Sequence, residues 1–465
     1  MRAVVPVSAA LAALAASPFF ACGTDYAAAT VGNGISTLPL DGGPPIADDS
    51  STPSGSDSSF LFDANLPTDG ATFCTGSGPI IPVPGANTRC SGDLGATTFL
   101  FAVCSCGDVS VSRNLLTNSL PLDGGTLPGS GGSIGANGEV TTNSTLQVNG
   151  SVWAEGAGET AALHVQQAST ITSDVHAGAA VEADQPLTIG GNLYANGNVS
   201  GSVTCNVADV PSTFTAPGLV ADGGVVTTPV SVPAPCDCTN VLDIASIVSA
   251  FSGPQANTDA LAGLSPSSFS PFPSTPVTLP CGQYYFDGVG GNPVNVTIDG
   301  RAAVFVNGDF DGRQGLILSL VPGAELDLFV SGDLYLGDAT LGSSDSPARV
   351  RVYVGGEMLN LSGTATIGAN IYAPNANVAL SSNFEMRGSL FVGSLQLSGA
   401  FTIQYDESIL STAGCSQGGG SCSSCHDCSG ATPACIGDKC APCQTDSDCC
   451  APLHCAGGRC YDQIP

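Results

Sequence analysis

The residues best equipped for chemistry lie near the C-terminus. Cys422-Ser423-Ser424-Cys425-His426 has the C-x-x-C-H spacing that attaches a c-type haem, and Cys422, Cys425, Cys428 and His426 could instead surround zinc. A haem needs a second axial ligand and an apolar pocket. The neighbours here are Gly, Ser and more cysteine, and the only methionines are Met1, Met358 and Met386. A second candidate is a carboxylate series, Gly308-Asp309, Gly332-Asp333 and Gly356-Glu357. Stacked acids could share Ca²⁺, which takes oxygen ligands, but the Gly-Gly-x-Gly-x-Asp repeat of calcium-binding rolls is absent. Exposed turns explain them more simply. Asn257-Thr258-Asp259 has the look of a motif in pectin-cleaving hydrolases, and glycoside cleavage needs paired carboxylates. No paired acids and no His or Arg/Lys partners follow on later repeats. No catalytic residue, metal or cofactor is expected.

The elements that would position these groups are short strands at a long period. Val304-Phe305-Val306, Leu328-Phe329-Val330, Val352-Tyr353-Val354, Ile371-Tyr372-Ala373 and Leu390-Phe391-Val392 place their aromatics 24, 24, 19 and 19 residues apart. Self-similarity of that size, broken by Gly, Asn and Asp, predicts a solenoid in which each repeat is one coil. A looser series precedes it: Ile134-Gly135-Ala136, Val152-Trp153-Ala154, Val175-His176-Ala177 and Leu193-Tyr194-Ala195, with leads 18, 23 and 18 residues apart. Strand residues alternate between faces, so the aliphatic flanks form the core and the aromatics face out. Phe305, Phe329, Tyr353, Tyr372 and Phe391, extended by Trp153, His176 and Tyr194, are therefore the candidate ligand-binding platform. A strip this apolar either stacks on sugars or docks a protein, or is covered by another segment.

Between the two series, Val241 to Phe251 has apolar residues at helical spacing and stops at Ser252-Gly253-Pro254, which predicts one helix packed on the solenoid. The expected fold is mainly β, a right-handed parallel β-helix with one short packed helix and a small disulfide-rich C-terminal module.

Composition fits. Of 465 residues, 60 are Gly and 11% are charged; 39 acids against 10 bases give a net charge of −29. That field repels phosphates, so nucleic acid is excluded as a partner. Twenty cysteines indicate an oxidising compartment. Arg2 followed by the apolar run Ala3 to Ala16 predicts an export signal.

The next residues, Ser17-Pro18-Phe19-Phe20-Ala21-Cys22-Gly23, resemble a bacterial lipoprotein signal. That resemblance implies lipidation at Cys22 and contact with a membrane through the lipid only. Phe19 and Phe20 depart from the usual residues of that signal. The expected order is then a signal over 1–22, a disordered Ser/Gly/Pro/Asp tether over 23–72 and a Cys-containing cap over 73–133. Coils over 134–204, an insertion over 205–281, the main coil domain over 282–410 and the Cys-rich module over 411–465 follow. Disulfides are expected at Cys74, Cys90, Cys104, Cys106, Cys205, Cys236, Cys238 and Cys281. In the tail they are expected at Cys435, Cys440, Cys443, Cys449, Cys450, Cys455 and Cys460, whose spacing resembles the small knotted modules of secreted proteins.

Ile371-Tyr372-Ala373-Pro374-Asn375-Ala376-Asn377-Val378, Gly388-Ser389-Leu390-Phe391-Val392, Leu397-Ser398-Gly399-Ala400 and Tyr405-Asp406-Glu407-Ser408 together resemble a β-helical domain of unknown function. It recurs in bacterial surface proteins, including myxobacterial lipoproteins and pilus-associated proteins. The resemblance implies a fold and an outer-membrane or cell-surface location, and no activity. The expectation is a non-enzymatic surface lipoprotein in adhesion or envelope structure, with a cell-surface glycan or envelope protein as partner. The alternative is a polysaccharide-processing lyase or hydrolase on the same scaffold.

Overall fold

A computed structural model describes Cys74, residues 80–81, 89–120 and 131–411 (except 255, 272, 274, 292 and 362–364), and four short strands of the tail. The signal over 1–22, Cys22, the tether over 23–72, Cys443, Cys449, Cys450 and the Cys422 to Cys428 cluster lie outside the described residues.

The described residues are mainly β, and nearly all strands join one large parallel sheet, the pairing a β-solenoid requires. Each coil contributes strands to three columns. In the first, equivalent residues pair in the order Tyr285, Phe305, Phe329, Tyr353, Tyr372, Phe391, Cys104, Gly135, Trp153, His176, Tyr194, Asp209, Val226. The two sequence repeats are therefore one stack. The chain starts in its middle at Val103–Ser105, winds to one end at Val225–Val226, returns, restarts at Val277–Phe286, and winds inward until Leu390–Leu397 pairs with its own first coil.

That pairing corrects the expected cap over 73–133. Val103–Ser105, Val109–Val111 and Leu115–Ser119 form an internal coil, held between Leu390–Tyr405 on one side and 134–148 on the other. Cys104 stands in the slot that an aromatic fills elsewhere, so the period is silent there.

Alternation sets the core as expected: Val304 and Val306, Leu328 and Val330, Val152 and Ala154 point inward and are buried. Removing such aliphatic surface from water, at roughly 25 cal/mol per Å², drives one coil onto the next.

The return from one end to the other is a strap laid along the outside of the first column. Near its start, Thr228 donates from its N–H and Oγ1 to the Asp209 carboxylate (3.2 and 2.6 Å). Two disulfides, Cys104–Cys236 and Cys106–Cys238, then clamp it to the middle of the stack. Gly135 makes room for the first clamp, since a Cβ there would sit 3.2 and 3.3 Å from the two sulfurs. Helix α1 here is Ser91–Thr98 and helix α2 is Ile244–Ala250, within the stretch 241–251 expected to be helical. The Asp243 carboxylate accepts the Ser246 N–H and caps α2, while Ile244, Ile247 and Val248 are buried beneath it. The strap ends where the Asp259 carboxylate accepts the N–H of Tyr285 (3.1 Å). A third disulfide, Cys74–Cys281, fastens the same end.

Candidate functional site

The expected binding platform faces outward from the coils, but it is not a surface. Phe305, Phe329 and Tyr353 are fully buried, and Tyr372 and Phe391 nearly so. The strap covers them: Phe251 stacks on Phe305 with centroids 3.7 Å apart, and the Leu242 N–H donates to the Tyr372 hydroxyl (3.2 Å). Phe99, following α1, packs 6.1 Å from Tyr353. Down the column Phe305, Phe329 and Tyr353 stack in turn at 5.2 and 4.7 Å. Burial pushes the Tyr372 hydroxyl up to about 12 and holds the Tyr353 hydroxyl well above its ordinary value. The ligand-binding assignment of these five rings is corrected: they are buried, and the strap and the segment after α1 pack on the column they form. The reason is that the return crossing runs over this face, where the outward rings give it apolar area to bury.

Beyond the disulfide clamp the same column carries Trp153, His176 and Tyr194. The rings stack at 3.4 and 4.6 Å within 11° of parallel. Trp153 and Tyr194 are half-buried and His176 is buried. Burial pulls the imidazole down to about 4, against the opposing charge of Asp174. Rings stacked along the axis show their edges outward, whereas a sugar needs a face.

The carboxylates have a different task from metal binding. The Asp309 Oδ1 accepts the N–H of Asp333 one coil on (2.9 Å), and the Asp333 Oδ1 accepts that of Met358 (3.0 Å), while its Oδ2 takes the Tyr335 hydroxyl (2.8 Å). Asp108 does the same for Glu139 and Asp174 for Asn192, at 2.9 and 2.7 Å. Each is a rung between coils, satisfying a turn N–H that no strand partner reaches. Among the described residues no three His, Cys, Asp or Glu side chains are grouped to hold a metal. Asn257-Thr258-Asp259 is an end cap. The Thr258 N–H donates to the Gln283 carbonyl at 2.7 Å, and the Gln283 N–H donates to the Thr258 Oγ1 at 3.0 Å. Asp259 takes the N–H of Tyr285. Burial pushes its carboxyl up to about 6, against the pull of that hydrogen bond.

Sequence reasoning missed a buried ion cluster under α1. Arg351, fully buried, donates from Nε and Nη2 to the two Asp327 oxygens (2.6 and 3.1 Å), from Nη2 to Glu325 (3.2 Å) and from Nη1 to the Ala348 carbonyl. Bidentate pairing offsets the desolvation of both charges. The signal was available: Asp327 and Arg351 lie two residues before Phe329 and Tyr353, one period apart.

Of the cysteines, Cys74, Cys104, Cys106, Cys236, Cys238 and Cys281 are paired, all across long separations. Cys205 is not. It lies in the inward series with Val203, is buried and free, and its thiol is raised by burial, so it packs as a small apolar side chain. The Cys90 side chain is outside the described residues. Cys435 and Cys440 are register partners in one tail hairpin, as are Cys455 and Cys460 in another.

Among the described residues, two polar columns have no segment packed over them. One runs through Thr366, Glu385, Thr402, Leu116, Gln147, Thr170, Thr188 and Thr204. The other includes Tyr335, Asn360, Gln396, Ser110, Thr141 and His164.

A family model described as Domain of unknown function (DUF7305) matches residues 243–412. The match opens at the N-cap of α2 and takes in the second half of the stack, leaving out the coils from Val103 to Val226. No curated protein and no solved structure matches the chain. No described helix is long and apolar enough to cross a membrane.

Proposed function

We propose that this is a non-enzymatic surface protein: a right-handed parallel β-helix, lipid-anchored at Cys22, that presents its two uncovered polar columns to a cell-surface glycan or an envelope protein. The observation that carries this reading is the use made of the acids. Glycoside cleavage needs paired carboxylates flanking the scissile bond, whereas Asp309, Asp333, Asp108 and Asp174 each accept a backbone N–H from the adjacent coil. A carboxylate held in that way is aimed at the backbone of its own fold and not at a substrate.

The test is incubation of the full chain with purified envelope polysaccharides. Retention of glycan without product is expected, and new reducing or unsaturated ends would replace this reading by the enzymatic one. Anchoring is separable. Cys22→Ser should move the protein from the detergent to the aqueous phase, and a variant that stays in detergent removes the lipid from the proposal.

A further inference from the structure

The two ends of the stack are finished differently. At the Val277–Phe286 end, the edge strand is sealed by the chain itself. Gln283 and Tyr285 donate their N–H groups to Thr258 and Asp259, and Asp287 donates to the Pro266 carbonyl. At the opposite end, Leu219–Ala221 pairs only with Val199–Cys205, and Val225–Val226 only with Ala208–Asp209. No described strand covers their outer edge.

The core is cut open there. Ala208 is fully buried, yet its partner one coil further, Val225, is 52% exposed, and the inward Leu219 and Ala221 are only half-buried; on the outward face of the same strands the apolar Val220 and Val226 are 55% and 43% exposed. Terminal coils of solenoids need a polar cap, and free edges recruit strands. The protective devices of an edge, charge or proline within the strand, are missing from Leu219–Ala221 and Val225–Val226.

From these observations we infer that the open end is a self-association surface, which joins two copies of this chain end to end about a two-fold axis. A free strand edge is matched by another free strand edge, and a two-fold places like strands antiparallel, the geometry in which both can pair. Charge selects the occupant. Between Val210 and Cys236 the only charged side chain is Asp222, in a chain of net charge −29. Two copies of so acidic a chain repel each other overall, and meeting through this stretch they bring only one carboxylate each into the contact. A basic partner would be drawn to the acidic flanks instead. Because the other end is sealed, the contact closes at a dimer and does not propagate into a fibre.

A contact made by two short strands per copy belongs with the small, weak class of interfaces, and a dissociation constant on the order of 1–100 µM is expected, because affinity falls to micromolar even at standard size. Sedimentation velocity of the full chain across that range tests it. The double variant Val220→Lys/Val226→Lys should weaken the dimer at least tenfold with an unchanged melting temperature, since both side chains are exposed in the monomer. Leu261→Lys, at an 89% exposed position on the sealed end, should leave it intact. Hydrogen exchange at 219–226 should slow as concentration rises. A chain that stays monomeric to 200 µM (about twice the weakest expected constant) overturns the inference. So does a dimer unaffected by the double variant, or one abolished by Leu261→Lys.

Discussion

Two stretches of one column look alike in the sequence and are treated differently by the fold. From Phe305 to Phe391 the outward rings are sealed between coils and strap, with α2 and Phe251 above them. From Trp153 to Tyr194 the rings stack as closely, yet Trp153 and Tyr194 remain half-exposed. The disulfides Cys104–Cys236 and Cys106–Cys238 stand at the boundary. An outward aromatic in a solenoid thus reports only that its face is apolar. What crosses that face decides whether the ring is a site or a fastening.

The largest test of this contrast is truncation. Phe329→Ala should cost about 3–5 kcal/mol of stability, the range for a buried Phe, while Tyr194→Ala should cost roughly 1 kcal/mol, near the centre for ordinary substitutions. Denaturant midpoints compare them, and equal losses would remove the distinction between sealed and open rings. Next to the sealed rings, Arg351→Ala should also cost about 3–5 kcal/mol, because Asp327 is left buried and unpaired. Arg351→Met with Asp327→Leu should recover most of that loss. A double variant no better than the single one would mean that the ions themselves, and not the avoidance of an unpaired charge, hold α1 in place.

The clamp comes third. Both boundary disulfides close loops of sequence separation 132, so each keeps the strap fixed when the other is lost. Cys104→Ser/Cys236→Ser alone should have a small effect in thermal melts. Removing Cys106 and Cys238 as well should cost about 2–5 kcal/mol, the range for a native disulfide. A full loss from the first pair would show that the second bears no load.

Much of this was legible beforehand. The period of the aromatics, the aliphatic core and the helix near 241–251 followed from local spacing. The order of the coils did not, because the joint is a pairing of Val103 with Leu390, and no local pattern reports a contact across so many residues. Cys104 and Gly135 occupy aromatic slots and interrupt the period where the halves meet. The fate of the platform was invisible for the same reason: burial of Phe305 depends on Phe251, a residue that belongs to the strap.

The finest test uses two buried groups of opposite character, His176 under the open stretch and Asp259 at the end of the strap. Burial holds the His176 imidazole at about 4 against an ordinary 6.5. Between those values the unfolded chain binds a proton that the folded chain does not. Its contribution is full above 6.5 and is lost as pH falls to about 4. Asp259 runs the other way. Its carboxyl is raised from 3.8 to about 6, so the folded chain keeps a proton that the unfolded chain has released, and stability falls as pH rises across that window. The two slopes oppose each other over nearly the same range and mask each other in the wild type. Melting temperatures measured relative to wild type from pH 4 to 7 should separate them: Asp259→Asn gains as pH rises, and His176→Gln gains as pH falls. A His176→Gln difference that does not change with pH would mean that the imidazole is in contact with water.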